Sequence, residues 1–425
     1  MITKRKLSLC LWVVLSMFFL GCHNDRDPNN GQLFWSLNSG SGFSSQSHTL
    51  PYAVYAHQTT RMANGDLFVS GGFDINNVPS RDAYAMSTSH PHFFYDVDPI
   101  SVRNDLAVAR AFHAQARVTS PTFAHNRIVM TGGETNGGIT SSIEIYDPLN
   151  DVIYSHGNMI FARKNHTLTE IKNSNTIYDG LFLIVGGEGA FGFLPIAELY
   201  DPVTGSSALL NSPLWMGRSK HTATSLFDGR VLIVGGLTNG GSTNTAEIFD
   251  PFTSTFQPVF NTMSENRAFH AAAYLDNKTP SMASDDAVLI VGGLDSLGFA
   301  LDNADLFDPF TDTFVPVNSV VHEPVFFHTV TPLNSSSAYD AAVAAGFTNL
   351  NFQNPMDSNP TEQIEIFQYT YSPTFGPDGF FVRTRDALYR RAVHTTNHIH
   401  PFTLMMMGGI DEFAAATNTA EELDY

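Results

Sequence analysis

Cysteine is nearly missing from this chain of 425 residues: only Cys10 and Cys22 carry a thiol. No disulfide framework can therefore form downstream of position 22. Positive charge is scarce as well. Lys and Arg total 22 against 41 Asp and Glu, for a formal charge of −19. A surface this acidic repels phosphate backbones, so nucleic acid is a poor partner. Charged residues of both signs make up only 15 % of the chain, while 43 % of it is hydrophobic. That composition excludes disorder and supplies ample apolar material for a core. The apolar stretch Leu7 to Leu20 is too short to cross a bilayer comfortably. Nor is there a Ser-His-Asp arrangement, a phosphate-cradling glycine loop or a strong zinc-ligand pattern.

What the chain does contain is repetition. Gly-Gly closes a short apolar run at 71/72, 132/133, 186/187, 235/236, 292/293 and 408/409, with Ala345-Gly346 as a degenerate seventh copy. A period of about 50 residues marks an array of like units that share one continuous core, so a single closed domain is expected rather than several. Each unit reads as four short antiparallel strands. In the fourth unit these are His221 to Leu226 (A), Arg230 to Val234 (B), Thr245 to Phe249 (C) and Thr255 to Val259 (D). Asp228-Gly229 and Asn64-Gly65 supply the positive φ of tight A–B turns. Asp-Pro ends strand C at 147/148, 201/202, 250/251 and 308/309, because proline has no amide to give to the ladder. Strand D carries an aromatic at Phe256, Phe314 and Tyr154.

Gly-Gly after the second strand, aromatic-Asp-Pro after the third and an aromatic in the fourth resemble the kelch repeat, and the likeness runs from residue 32 to 425. It implies an all-β fold: a seven-bladed β-propeller of four-stranded antiparallel blades, one blade per repeat, working as a monomer. The chain stops just after strand C of the seventh unit. Leu33 to Leu37 lies before the first strand A and has the aromatics of a strand D. It is expected to pair beside residues 418 to 424 and close the ring, which removes two exposed sheet edges.

The first residues stand apart. Lys4-Arg5-Lys6, the apolar stretch and Phe19-Leu20-Gly21-Cys22 form a leader that resembles the lipobox of bacterial lipoproteins, with Phe19 where leucine is usual. The resemblance implies a signal peptide over 1–21, lipidation of Cys22, a polar linker over 22–31 and a propeller over 32–425 exported to the bacterial cell envelope. His23 stands where an aspartate would retain an enteric lipoprotein in the inner membrane, which points to the outer membrane.

Residues that recur in every unit are expected to hold the blades together. They comprise the histidines His57, His113, His166, His221, His270, His328 and His394, the arginines three positions earlier at 110, 163, 218, 267 and 391, and an acid in each strand C. Ligand-binding residues are sought where the repeat breaks, because loops on a rigid scaffold carry function. The insertion from Phe347 to Pro360, the stretch from Ser372 to Arg390 and the connection from Val97 to Ala109 fall in adjoining units. They nominate Phe347, Phe352, Phe380, Phe381, Arg383 and Arg385 on one face, with Phe191, Phe193 and Phe299 on turns of the same face. His90, His92, His398 and His400 form two His-x-His pairs, weak metal candidates better read as separate surface histidines. Asp74, Glu134, Glu188, Asp295 and Asp411 follow the glycines and form a possible Ca²⁺ collar, although local turn hydrogen bonds account for most of such a pattern.

With no catalytic constellation and no cofactor called for, the leading expectation is a membrane-tethered binding module for a protein or glycan. A sugar-active enzyme resembling the kelch mutarotases is one alternative, and a structural envelope component is another. The copper oxidases of the same fold are disfavoured, since their cofactor needs a cysteine bonded to tyrosine and none remains after Cys22.

Overall fold

The structure, a computed structural model, describes residues 45–88, 94–96, 105–276, 285–333, 337, 339–349, 359–372, 376–384, 386–400, 403–411, 413 and 415–424. Seven four-stranded antiparallel sheets stand as blades around one axis. Blades 1 to 6 span residues 58–96, 114–158, 167–209, 222–258, 271–316 and 329–383, each with its strands A to D in chain order from the axis outward. Blade 7 takes three strands from 395–424 and its fourth from Ser45–Thr49. The innermost strands lie side by side round the whole ring, Thr395–His400 of blade 7 meeting Gln58–Arg61 of blade 1.

Packing of blade against blade explains the sequence pattern. Strand B is buried at every position in blades 3, 4 and 5, as Phe182–Val185, Val231–Val234 and Ala287–Val291. A sheet covered on both faces needs apolar residues in an unbroken run rather than in alternation. The two faces of one strand serve two interfaces. Val231 and Ile233 pack toward Leu183, Val185 and Leu199 of blade 3, while Leu232 and Val234 pack toward Val288, Ile290 and Phe307 of blade 5. Each such side chain contributes about 1.5–3 kcal/mol of burial. Strand D covers the outer edge through its aromatic, with Phe256 on Phe249 at 5.2 Å and Phe314 on Phe307 at 5.2 Å.

Two expectations from the sequence are corrected. The strand that closes the ring is Ser45–Thr49, paired antiparallel with Thr419–Asp424 from Ser45↔Leu423 to Thr49↔Thr419. It takes the place assigned to Leu33–Leu37, which lie outside the described residues. Connection length decides the matter. Ser45–Thr49 ends at 49 and strand A begins at 58, just as the strand D ending at 158 is followed by a strand A beginning at 167. The pairing lies at an edge and rests on backbone hydrogen bonds, so Ser-Gln-Ser-His-Thr needs no apolar face. Second, the stretch after Ser372 is largely a strand. Gly376–Arg383 is strand D of blade 6, paired from Ser372↔Gly376 to Glu365↔Arg383 along Pro360–Ser372. Its Gly-Pro-Asp-Gly start mimics a turn, but an outermost strand tolerates proline and glycine.

Removal of Ser45–Thr49 should leave the edge of Thr419–Asp424 unpaired and forfeit about four to five backbone hydrogen bonds, worth about 1 kcal/mol each. A chain beginning at Tyr52 is expected to melt several degrees below one beginning at Gly42 and to form larger species on size exclusion. Equal melting temperatures for the two would contradict the assignment.

Candidate functional site

The centre of the ring is built from the recurring residues. The first glycine of each pair has φ between +58° and +61°, and a Cβ there would lie 2.3–2.6 Å from a carbonyl oxygen of the next blade. In blade 3 that atom is the Arg218 oxygen, 2.5 Å from the position a Cβ on Gly186 would take. The second glycine donates its N–H to the same carbonyl, as Gly187 does to Arg218 O at 2.8 Å. All seven junctions carry this bond, including Gly346 to Arg391 O and Gly409 to Val54 O, at 2.7–2.9 Å.

The arginine that offers the carbonyl is fixed from its other end. Arg218 is fully buried and donates Nη1 to Gly235 O at 2.9 Å and Thr245 O at 3.2 Å, and Nη2 to Glu247 at 2.8 Å. Glu247 in turn accepts the Trp215 N–H at 2.8 Å. Arg110, Arg163 and Arg267 repeat the scheme with Glu144, Glu198 and Asp305, and Arg391 faces Glu421 at 3.6 Å. Val54 and Val325 stand where blades 1 and 6 would have the arginine. Glu365 of blade 6, without that guanidinium, has its carboxyl pushed up by burial.

The histidines fill the next layer inward. His221 Nε2 meets Thr167 Oγ1 on strand A of the preceding blade at 3.1 Å, and His57, His270 and His394 make the same contact with Thr395, Thr222 and Thr329, whereas His113 and His166 reach Ser70 and Thr131 at the end of strand B. Burial drives all seven rings down, His57 to about 4 and His221 and His328 to about 3. They are neutral parts of the frame.

One position before each histidine is a feature that the repeat pattern had not drawn out. Ala56, Phe112, Asn165, Lys220, Phe269, Phe327 and Val393 all have left-handed φ, from +52° to +58°. Each donates its N–H to the carbonyl of its counterpart in the preceding blade, at 3.0–3.4 Å, and Ala56 donates to Val393. The seven bonds form a closed circle of amides at one end of the channel. Side chains rarely adopt this conformation, at a cost of roughly 1–3 kcal/mol each, so the ring holds them there. Their side chains converge on a central cavity of about 510 Å³ that continues along the innermost strands.

Lys220 dominates this mouth. Its Nζ lies 4.0 Å from the centre of the Phe112 ring, 5.2 Å from Phe327 and 5.5 Å from Phe269. Burial lowers it to about 7, with Lys164 acting in the same direction and Glu188 and Glu134 opposing. The carboxylates nearby are engaged elsewhere: Glu134 by Lys164 at 2.5 Å, and Glu188 by Asn165 and Ser219 at 3.0 Å each. The mouth is therefore divided between a polar sector on blades 2 to 4 and an aromatic sector formed by Tyr55, Phe73, Phe269, Phe326, Phe327 and Phe347.

Of the residues nominated from sequence, Phe347 is buried in that sector, 5.5 Å from Phe326, rather than displayed on a loop. Phe381 packs on Phe367 at 4.8 Å, while Phe380 and Arg383 sit on the outermost strand, where Arg383 meets Asp386 at 3.2 Å. Phe193 is half-buried in a small hairpin whose tip bears Phe191, fully exposed. Phe299 is exposed on the corresponding turn of blade 5, as are Leu297 beside it, Ile75 in blade 1 and Phe413 in blade 7. Asp74, Asp295 and Asp411 direct Oδ1 to backbone N–H groups of their own turns at 2.8–3.1 Å. Among the described residues no group of three His, Cys, Asp or Glu side chains is placed to hold a metal. His398 Nε2 contacts Pro332 O at 2.6 Å. Cys22, His90, His92, Phe352 and Arg385 lie outside the described residues, as does the side chain of His400. Sequence reasoning missed Lys220 and the aromatics beside it. The repeat locates the column of residues before each histidine, but no shared residue type marks it.

These elements define a seven-bladed β-propeller whose central channel is ringed at one end by amides, with a lysine set over three aromatic rings. No protein-family model and no curated protein matches the chain.

The histidine layer predicts an acid response. The rings are neutral in the folded protein, whereas in the unfolded chain they titrate near 6.5. Stability should be complete above that pH and fall as the pH drops from 6.5 toward 4, by up to roughly 1.4 kcal/mol per pH unit for each histidine. Urea unfolding at pH 7.5 and 5.5 checks this. The midpoint should be clearly lower at pH 5.5 and the difference smaller in His221→Gln; an unchanged midpoint would refute the burial argument.

Proposed function

We propose that the chain is a kelch-type binding module, tethered to the bacterial outer membrane through Cys22, and that it grips a protein partner with the turns between strands B and C. The observation that carries this reading is the exposure of Ile75, Phe191, Leu297, Phe299 and Phe413 on turns of one class, each more than 60 % accessible. All B–C turns emerge on the same face of a propeller, so these side chains surround the amide-ringed mouth on a rigid scaffold. Phe, Leu and Ile offer no hydrogen-bonding group, which suits the apolar surface of a protein better than the hydroxyls of a glycan. Gly-Gly at the blade junctions and the aromatic pairing of strands C and D support the kelch assignment. The tether rests on Phe19-Leu20-Gly21-Cys22 and the basic residues before it.

The test joins the two parts. The full chain is expressed in a Gram-negative host, alongside Cys22→Ser and a Phe191→Ser/Phe299→Ser/Phe413→Ser variant. The wild type should sediment with outer membranes and Cys22→Ser should not. A partner retained from solubilised envelope should be lost at least tenfold in the triple variant, with its melting temperature unchanged because the three side chains are solvated. Retention of the same proteins by wild type and triple variant would overturn the protein-binding face. A glycan-array signal lost in that variant would transfer the face to sugars.

A further inference from the structure

We propose that Lys220 is a reactive amine that captures small hydroxylated aldehydes, such as the open-chain form of an aldose, within the central channel. The inference is independent of the protein-binding face. It begins with an unusual environment: a lysine whose ammonium makes no hydrogen bond or ion pair among the described residues and instead lies over Phe112, Phe269 and Phe327. The residues facing it explain why. Asn165 and Ser219 hold Glu188, Lys164 holds Glu134, and the adjacent His221 is neutral. An amine withdrawn from water without a counterion gives up its proton easily, and the free base is the nucleophile. The lowered value of about 7 agrees with this geometry. The side chain nevertheless keeps part of its surface open to the cavity that it lines.

The channel indicates what would enter. Its volume of about 510 Å³ is that of a small-molecule site. Among the described residues lining it Lys220 is the one charged side chain, and the others offer neutral hydrogen-bonding groups, including Gln58, Thr59, Thr222, Thr329, Thr396 and Asn397. Such a wall suits hydroxyls and, apart from Lys220 itself, gives no counter-charge to a phosphate or carboxylate. The reaction is a condensation. The Nζ lone pair attacks the aldehyde carbon, the N–C bond forms and the carbonyl oxygen takes up a proton. The resulting carbinolamine then breaks its C–O bond. Both hydrogens of the neutral amine leave with the oxygen as water, and no electron is gained or lost. The imine, once protonated, is again a cation, and the three rings that hold the ammonium stabilise it in the same way.

Reductive trapping tests this. The full chain is incubated at pH 7 with glyceraldehyde or glucose and cyanoborohydride, and the sites are read by peptide mass spectrometry. The sequence has only six lysines, and Lys172 serves as the internal reference. Lys220 should be alkylated at least tenfold faster than Lys172 at pH 7. Lys220→Arg, which keeps a cation over the rings, should fold with an unchanged melting temperature and lose the fast phase. Labelling of Lys172 ahead of Lys220, or of Lys220 only in urea, would overturn the proposal. Propanal labelling Lys220 as fast, relative to Lys172, as glyceraldehyde does would overturn the substrate class.

Discussion

The whole ring depends on a backbone approach that leaves no room for a side chain at six of its seven junctions. At each junction two consecutive residues, following strand B in six blades and inside it in blade 6, turn through positive φ, and the second donates its N–H to a carbonyl of the next blade within 2.9 Å. At the six Gly-Gly junctions a methyl group on the first would fall 2.3–2.6 Å from that oxygen, well under van der Waals contact. Gly-Gly is thus a statement about the neighbouring blade rather than about its own turn. Blade 6, with Ala345 at φ +50°, shows that one methyl is accommodated once, where the repeat is already irregular.

The other recurring residues follow from this approach. A carbonyl held that close needs a rigid support, and the buried arginine supplies it by binding the glycine carbonyl of its own blade together with the strand C acid. Such a pair is costly to break, by about 3–5 kcal/mol when one partner is removed, because the other is left buried and charged. The histidine then occupies the space beside the first glycine of the preceding blade, its Cε1 within 3.0 Å of where a Cβ would be. Inside that layer the amide circle forces seven non-glycine residues into the left-handed region, a conformation that only the closed ring imposes. Structure and candidate chemistry meet there, since the same circle presents Lys220 to the rings of blades 2, 5 and 6.

Much of this was legible in the residues. Strand B, the Gly-Gly pair and the Asp-Pro end predict the blade of 222–258 almost residue by residue, because their signals are local: apolar runs, positive φ and missing amides. The closing strand was not legible in that way. Ser45–Thr49 pairs at an edge through its backbone, so its composition carries no mark, whereas Leu33-Phe34-Trp35 looks like a strand D and stands at the wrong distance. Gly376–Arg383 was hidden by turn-like residues that only an outermost strand accepts. The residues before the histidines share no type at all, as Ala, Phe, Asn, Lys and Val all occur there. Their common conformation comes from ring closure, a tertiary constraint that no window of sequence contains. Phe347 illustrates the same limit, since its neighbour Phe326 lies in a separate segment and buries it.

A frame this uniform leaves function to what departs from the sevenfold pattern: apolar turn tips on some blades, and one lysine among small and aromatic side chains at the mouth. Both depend on the junctions holding. Chemical denaturation of Gly186→Ala against Gly192→Ala tests that dependence most directly. Both glycines have positive φ, +61° and +117°, but a Cβ on Gly186 would lie 2.5 Å from Arg218 O, while nothing lies within 4 Å of one on Gly192. If interblade approach is the controlling constraint, Gly186→Ala loses more than about 3 kcal/mol and Gly192→Ala roughly 1. Equal losses, or a larger one at Gly192, would show that backbone strain alone governs these positions and would contradict the account.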